Sequence, residues 1–576
     1  MAAGSAAAWV PASPRAVIGA IARGVMARGV MAALMRVVTT MAVSATLAAA
    51  APTAPDEPSA ATAGEALYRT GRHHGQAIAA WQPGLGELPP AVAACANCHR
   101  PSGLGGSEGG VRVPPITAGQ LFAPGQPPTG HQRLQGRQWL RHQSRSAYTV
   151  ASLARALRDG IDPDGRALAP AMPRYQLDDQ AVADLLAYLG TRQRDARTGL
   201  DAAGLHLATV FTPDAPPARR AAVEAAMAAW SASAAWGPVK VRWQAWTLTG
   251  PATDWPAQLS ARMRATPVYA LLSGAGGADW SPVAAWCEAQ RLPCLFPSID
   301  RVPAASGDTD ANRPYWNMYL DAGLDGEARL LAQHLARWPA AQRAGVRIHQ
   351  LAEGPAGAAA AAALCTAALP WVAADDCGLP PTARGGDGPA NAPGTAPRAQ
   401  AAELVVLWLG PAAIQDWLSR QPPPGRAPGT PLLVLSARLA PPAATLMPAA
   451  WRPHVRWLSQ RSDPVRQAAG AALSLIHWRQ RLRLPDDLDP ATVAEVHAAT
   501  FFFGDALAQT QGAWAPEHLL ERLEVAVDQR PAGALFFRLS LGPGQRIAAQ
   551  GGQVLAFEPP RHMWLVPLPG HLRAVD

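Results

Sequence analysis

The sequence predicts a multidomain protein whose larger, C-terminal part is an α/β structure. Three observations point there. At 576 residues the chain exceeds what one ordinary core organises, and such a length corresponds to about three or four compact units. A Cys-x-x-Cys-His motif followed by an amphipathic helix marks off a first unit that ends near Thr191. From Leu205 onward, short apolar strands alternate with helices. The composition, 49% apolar and 16% charged, is that of a globular chain, and its 57 prolines and 51 glycines imply many loops. The formal charge of +8 is almost entirely arginine, since Lys240 is the only lysine. Those arginines are scattered, with no run that would follow a phosphate backbone, so no nucleic-acid partner is expected.

The first 51 residues read as an N-terminal extension carrying a signal peptide. A basic start at Arg36, an apolar middle from Val37 to Leu47 and the small residues Ala48 to Ala51 predict export, with cleavage near Ala50. The segment Met1–Gly29 before it is also dotted with arginine, and Met31 or Met35 is an alternative start. Membrane attachment is expected only if this front segment stays uncleaved. No later stretch reaches the ~18–20 apolar residues that span a bilayer. Periplasmic localisation follows.

Cys95-Ala96-Asn97-Cys98-His99 is the motif that carries chemistry. Two thiols one helical turn apart add across the two vinyl groups of a haem, and the adjacent histidine then ligates the iron. A thioredoxin-like pair would need a βαβ setting, and zinc would need two further close ligands; neither is present around residue 95. One covalent haem c is therefore expected on Cys95 and Cys98, with His99 as an axial ligand. A second ligand is sought downstream. Met172 stands in the proline-stiffened loop Ala169–Tyr175, just before a helix with Asp178 as N-cap and Val182, Leu185, Leu186 and Leu189 on its buried side. A thioether favours ferrous iron and suits electron transfer, so Met172 is the expected sixth ligand; His131 and His142 are its competitors.

Gly64-Glu65-Ala66-Leu67-Tyr68, the Cys-x-x-Cys-His, Tyr148-Thr149, Gly160–Arg166 and Met172-Pro173-Arg174-Tyr175 together resemble class I cytochrome c domains, over about residues 60–192. The resemblance implies an all-α cytochrome c domain that exchanges electrons with a periplasmic redox partner, a dehydrogenase or a terminal oxidase chain. The Gly/Pro/Gln-rich insert between Ile116 and Ser146 departs from the pattern and is expected to loop over the surface.

In the remainder, strands are expected at Leu205–Thr212, Val239–Leu248, Val268–Leu272, Cys294–Pro297, Val346–Leu351, Leu404–Leu409 and Leu432–Leu435. Helices are expected at Ala218–Trp230, Trp280–Gln290, Leu324–Trp338 and Ala356–Ala368, with a flexible loop at Gly378–Arg398. The segments Tyr269–Gly274, Pro293–Ser298, Tyr315–Gly323 and Leu541–Arg546 make about residues 200–560 of this domain, residues 200–576, similar to type I periplasmic binding proteins, the family of the branched-chain amino-acid receptors. That likeness implies a bilobed α/β domain with a cleft at strand ends, where Ser273, Gly274, Ser298, Tyr319 and Glu353 would meet a small-molecule ligand. The family's ligand-side Arg-Thr pairing is absent at Met318-Tyr319-Leu320-Asp321, which puts amino-acid binding in doubt.

Four cysteines remain. An even count in an oxidising compartment favours local disulfides Cys287–Cys294 and Cys365–Cys377, while the other two pairings stay open. Phe501-Phe502-Phe503 is expected in a core. No Ser/His/Asp arrangement, paired carboxylates, phosphate loop or zinc motif stands out, so no catalytic residues are expected. The leading expectation is an electron carrier whose second half docks a small ligand or a partner dehydrogenase. The alternatives are a haem-bearing receptor, sensor or ABC-importer component and, third, a catalytic oxidoreductase subunit.

Overall fold

A computed structural model describes residues 59–108, 111–125, 145–195, 198–236, 239–304, 314–339, 347–367, 403–422, 424, 431–462, 472–510, 513–529, 535–536, 538–558 and 562–566. The expected signal segment, His131, His142, Cys377 and the Gly378–Arg398 loop lie outside them.

The first part is held by two crossing helices. Helix α1 (Ala60–Thr70) starts at Ser59, whose Oγ accepts the Thr62 amide at 3.3 Å, and stops at Gly71 in the left-handed conformation. After it come short strands β1 (Arg72–His73), β2 (Gln76–Ala77), β3 (Ala80–Gln82) and β4 (Gly86–Leu88), then helix α2 (Cys95–His99). Helix α3 (Val150–Arg158) is capped reciprocally by Thr149 and Ser152. Strand β5 (Arg174–Tyr175) precedes helix α4 (Asp179–Asp195), where the Asp178 carboxylate accepts the Ala181 amide at 2.7 Å. Leu67, Tyr68, Leu153, Leu157, Val182, Leu185 and Leu189 fill one apolar core between α1, α3 and α4, each large side chain contributing about 1.5–3 kcal/mol by burial.

Residues 60–192 are not all-α, which corrects the expectation. β1 pairs with β2, and β3 pairs with both β4 and β5, all antiparallel. Strands of two or three residues are too short to show alternation. They are created by the tight turns at His74-Gly75 and Pro83-Gly84 rather than by apolar pattern.

The second part contains two sheets. In the first, β6 (Gly204–Phe211), β7 (Val239–Thr247), β8 (Ala270–Leu272), β9 (Cys294–Leu295) and β10 (Asn317–Met318) run parallel in the order β7-β6-β8-β9-β10. Short antiparallel strands Leu200–Asp201 and Ala235–Trp236 extend it. Leu205, Leu207 and Phe211 enter one core, while Ala208 and Val210 enter another on the opposite face. A strand buried on both sides reads as an almost continuous apolar run; the exceptions here are His206, which is partly exposed, and Thr209, whose hydroxyl donates to Leu272 O at 2.8 Å. Helices α5 (Pro217–Ser233) and α6 (Ser281–Gln290) both carry proline in the first turn, where no amide partner is lost. Cys287 of α6 is disulfide-bonded to Cys294 of β9, with Cα atoms 6.3 Å apart.

The chain then passes through α7 (Gly323–Ala336) into the second sheet. There β11 (Arg347–Ala352), β12 (Glu403–Trp408), β13 (Leu432–Ser436) and β14 (Val455–Ser459) lie parallel and in sequence, with α8 (Gly354–Thr366) after β11. Cys365 of α8 is disulfide-bonded. Leu404, Val406 and Trp408 face one core of this sheet, and Val405, Leu407 and Leu409 the other. Helices α9 (Pro490–Gln509) and α10 (Pro516–Gln529) return to the first sheet, where Phe502, Phe503 and Leu519 join its core; Phe501 packs at the margin. The chain finally goes back to add antiparallel β15 (Gln553–Glu558) and β16 (His562–Val566) beyond β14. Among the described residues no helix is long and apolar enough to cross a membrane.

Candidate haem site

The loop after α2 builds the environment of His99. Gly105 has φ +67, and a side chain there would stand 2.2 Å from the Val113 carbonyl oxygen. Glycine therefore lets segment 111–116 close onto the motif. The Gly105 amide donates to His99 O at 2.9 Å and the Ile116 amide to Gly103 O at 2.8 Å. This closure brings the Pro114 carbonyl to 2.9 Å from His99 Nδ1. A carbonyl can only accept, so Nδ1 carries the proton and Nε2 keeps its lone pair. The imidazole is 5% exposed, and burial pulls its pKa down against the opposing pull of the Pro114 carbonyl. It is therefore held neutral, the state in which a ring nitrogen can bind a metal.

Cys95 is buried and Cys98 exposed, and neither is in a disulfide. Burial pushes the Cys95 thiol up to about 11. Tyr68 Oη donates to Arg100 O at 2.6 Å, and Tyr175 Oη donates to Ala93 O at 2.8 Å, so both ends of α2 are fastened to the surrounding core. Met172 is half-buried and packs against the apolar cluster that contains Cys95 and Ala96. Its loop is held by Arg174, whose Nη1 donates to Met172 O at 2.5 Å. The Arg174 guanidinium occupies the space where a side chain on Gly160 would lie, which explains glycine at that φ of +70. These residues fit the group the motif calls for: two thiols outside any disulfide, a neutral imidazole held from behind, and a thioether in the same cluster.

Residues 91–193 match the family model for cytochrome c. No curated protein matches the chain. Among solved structures, the chain is similar to a possible leucine/isoleucine/valine-binding protein from Rhodopirellula baltica at 10% identity, covering 64% of this chain and 98% of that one, with a TM-score of 0.42. It is similar at 10% identity to a branched-chain amino acid ABC transporter protein from Thermus thermophilus with bound valine, over 64% and 97% of the two chains, with a TM-score of 0.44. A type 1 periplasmic binding protein from Bordetella pertussis is 15% identical over 63% of this chain and 100% of its own, with a TM-score of 0.40.

The five residues expected at a ligand cleft separate. Ser273, Gly274 and Ser298 do share the strand ends of the first sheet, where the Ser298 amide donates to Gly274 O at 2.7 Å. The space beside Gly274 is taken by the Trp280 ring, and Ser298 Oγ donates to Glu495 Oε2 at 2.5 Å. Tyr319 is buried, pairing its backbone with Ile547 and Arg546. Glu353 is exposed at the start of α8 on the second sheet, accepting the Gly410 amide at 3.3 Å.

Charged residues that the sequence did not single out fill the region instead. Arg438 grips Asp321 at 2.5 and 2.6 Å, donates to Ile299 O at 2.8 Å, and lies 3.6 Å from Glu495. Arg461 also pairs with Glu495, and Arg219 meets Asp300 at 2.5 Å. Burial would raise the Glu495 pKa, but Arg461 and Arg438 hold it down to about 2. Glu327, hydrogen-bonded by Ser436 Oγ at 2.5 Å, is pushed up to about 8 by burial. The recess lined by Asp321, Glu327, Arg438, Gln460 and Arg461 has about 20 Å³ for the centre of a water-sized sphere, room for one or two waters and far too little for an amino acid. Spacing could not have revealed this cluster, because its members come from both sheets and from α9.

Proposed function

We propose that this protein is a periplasmic, mono-haem c-type electron carrier, whose Cys95 and Cys98 hold the haem covalently and whose His99 and Met172 ligate its iron. The single observation that carries the reading is His99, buried and neutral within the Cys-x-x-Cys-His, with Pro114 O on Nδ1 so that Nε2 is the nitrogen offered. Bound there, a haem supplies a one-electron couple. The chain's own groups do the rest. The Pro114 carbonyl fixes the tautomer and orientation of His99. Arg174 and the β3–β5 pairing hold the Met172 loop, so a weak thioether ligand is presented without a large ordering cost. The core around Cys95 excludes water, which favours a rapid exchange of charge with little reorganisation.

The α/β part serves this carrier as a docking body for its redox partner, a dehydrogenase or oxidase of the same compartment. Support for docking over small-ligand capture comes from the strand ends of the first sheet, which Trp280 and the Arg438–Asp321–Glu495 network occupy.

The test is a haem-stain gel and an absorption spectrum of the exported protein. One c-type haem per chain is expected, lost from the polypeptide in the double variant Cys95→Ala, Cys98→Ala. Met172→Ala should keep the covalent haem and admit carbon monoxide rapidly to the reduced protein. Reduced wild-type protein that already binds carbon monoxide at that rate would overturn Met172 as ligand; exported protein without haem would overturn the whole reading.

A further inference from the structure

We propose that His73, His74 and Asp184 form a second metal site, for a divalent cation of the zinc class, on the side of the N-terminal part where α4 meets the β1–β2 hairpin. His73 and Asp184 lie 111 positions apart in sequence, yet the ligand atoms of all three residues fall within 4.8 Å of one another. His73 Nε2 is 2.9 Å and His74 Nε2 3.6 Å from the same atom, Asp184 Oδ2. Zinc bonds to nitrogen and oxygen of about 2.0–2.2 Å set ligand atoms roughly 3.3 Å apart in a tetrahedron. These two separations bracket that value and all three ligand atoms lie within 4.8 Å of one another, so drawing the two imidazoles together around the ion would seat it.

The supporting atoms are in place as well. Gln180 Nε2 donates to Asp184 Oδ1 at 2.8 Å, which turns Oδ2 toward the histidines and leaves one carboxylate oxygen to bind. The two imidazoles stand edge to face, with centroids 4.3 Å apart and planes at 68°, so their ring nitrogens converge rather than stack. The turn His74-Gly75, with φ of 46° and 76°, is what brings consecutive histidines to one side of a hairpin. Asp184 is 2% exposed at its side chain, His73 10% and His74 45%. A buried carboxylate beside a half-open histidine gives three protein ligands with a fourth position facing solvent. The Asp184 carboxylate is shared between the two imidazoles, and two ring nitrogens with one oxygen are a donor set that a divalent ion of this class takes.

Isothermal titration of zinc chloride into chelator-treated, full-length haem protein tests the site. One equivalent should bind, with zinc absorption-edge spectroscopy showing an imidazole and oxygen shell and no sulfur. His74→Ala and His73→Gln should each weaken that binding at least tenfold while leaving the haem spectrum, and hence the fold, unchanged. Zinc should also raise the melting temperature of wild-type protein and leave that of the variants where it is. Failure of wild-type protein to take up zinc, or equal uptake by both variants, would reduce the cluster to a His–Asp ion pair and overturn the proposal. Because neither histidine belongs to the haem motif, that failure would leave the electron-carrier reading intact.

Discussion

At the scale of single residues, Gly64 shows how a position is chosen by what lies opposite it. A methyl group there would sit 1.9 Å from the Asp184 carbonyl oxygen, so α1 and α4 cross with no room for a side chain. Alanine in a helix gains about 1 kcal/mol over glycine, but forcing two packed backbones apart costs about 3 kcal/mol or more. Gly64→Ala is therefore expected to lower stability by about 2 kcal/mol, read as a shift in the denaturant midpoint of haem-loaded protein. The same residue marks the limit of reading a sequence alone. Cys95, Cys98 and His99 stood out as candidates because covalent haem attachment calls for a short contiguous motif. His73, His74 and Asp184 did not, because a hairpin and a helix supply them separately and only the crossing at Gly64 unites them.

At the scale of elements, the loop behind the haem motif is tied to α10. Ser102 donates its amide and its hydroxyl to the two carboxylate oxygens of Glu521, both at 2.7 Å, and all of these groups are buried. Around this contact, Arg69 lies 3.7 Å from Glu517 and 5.4 Å from the Tyr315 ring centroid, and Arg291 pairs with Glu65. Removing the carboxylate leaves two buried donors unsatisfied, and hydrogen bonds to a charged group are worth about 1.5–3 kcal/mol. Glu521→Ala should cost about 3 kcal/mol and speed hydrogen exchange at the Ser102 amide, measured by mass spectrometry; Glu521→Gln, which keeps an acceptor, should cost less. Elements with strong period were read well. Gly204–Phe211 and Val239–Thr247 each lie within a residue or so of expectation. Strands made by turns, such as Ala80–Gln82, carried no pattern to read, and α9 and α10 were missed because nothing in their local sequence says which sheet they cover.

At the scale of the whole molecule, the two sheets are joined by a buried network whose charges respond to pH in opposite senses. Glu327 keeps its proton up to about 8, whereas an unfolded glutamate loses it near 4.5. Between those values the unfolded chain binds fewer protons, so Glu327 makes stability fall as pH rises through that window. Glu495, held down to about 2, does the reverse: its contribution is complete above 4.5 and is lost as pH falls toward 2. Glu327→Gln should therefore leave the melting temperature nearly unchanged at pH 5 and raise it relative to wild type at pH 9, as calorimetry would register. The strand–helix alternation of the α/β part was legible from Leu205 onward; the charge network was not, since Arg438 and Glu495 are brought together only by the chain's return to the first sheet. In the smaller part, α1 begins four residues before its crossing with α4 at Gly64 and Asp184, and α4 ends eleven residues after it, so both ends of the segment lie within about 16 Å of helix from one point. A piece of polypeptide whose two ends lie near one point can be joined to its neighbour through one short connector, leaving contacts such as Ser102–Glu521 to fix the two parts against each other.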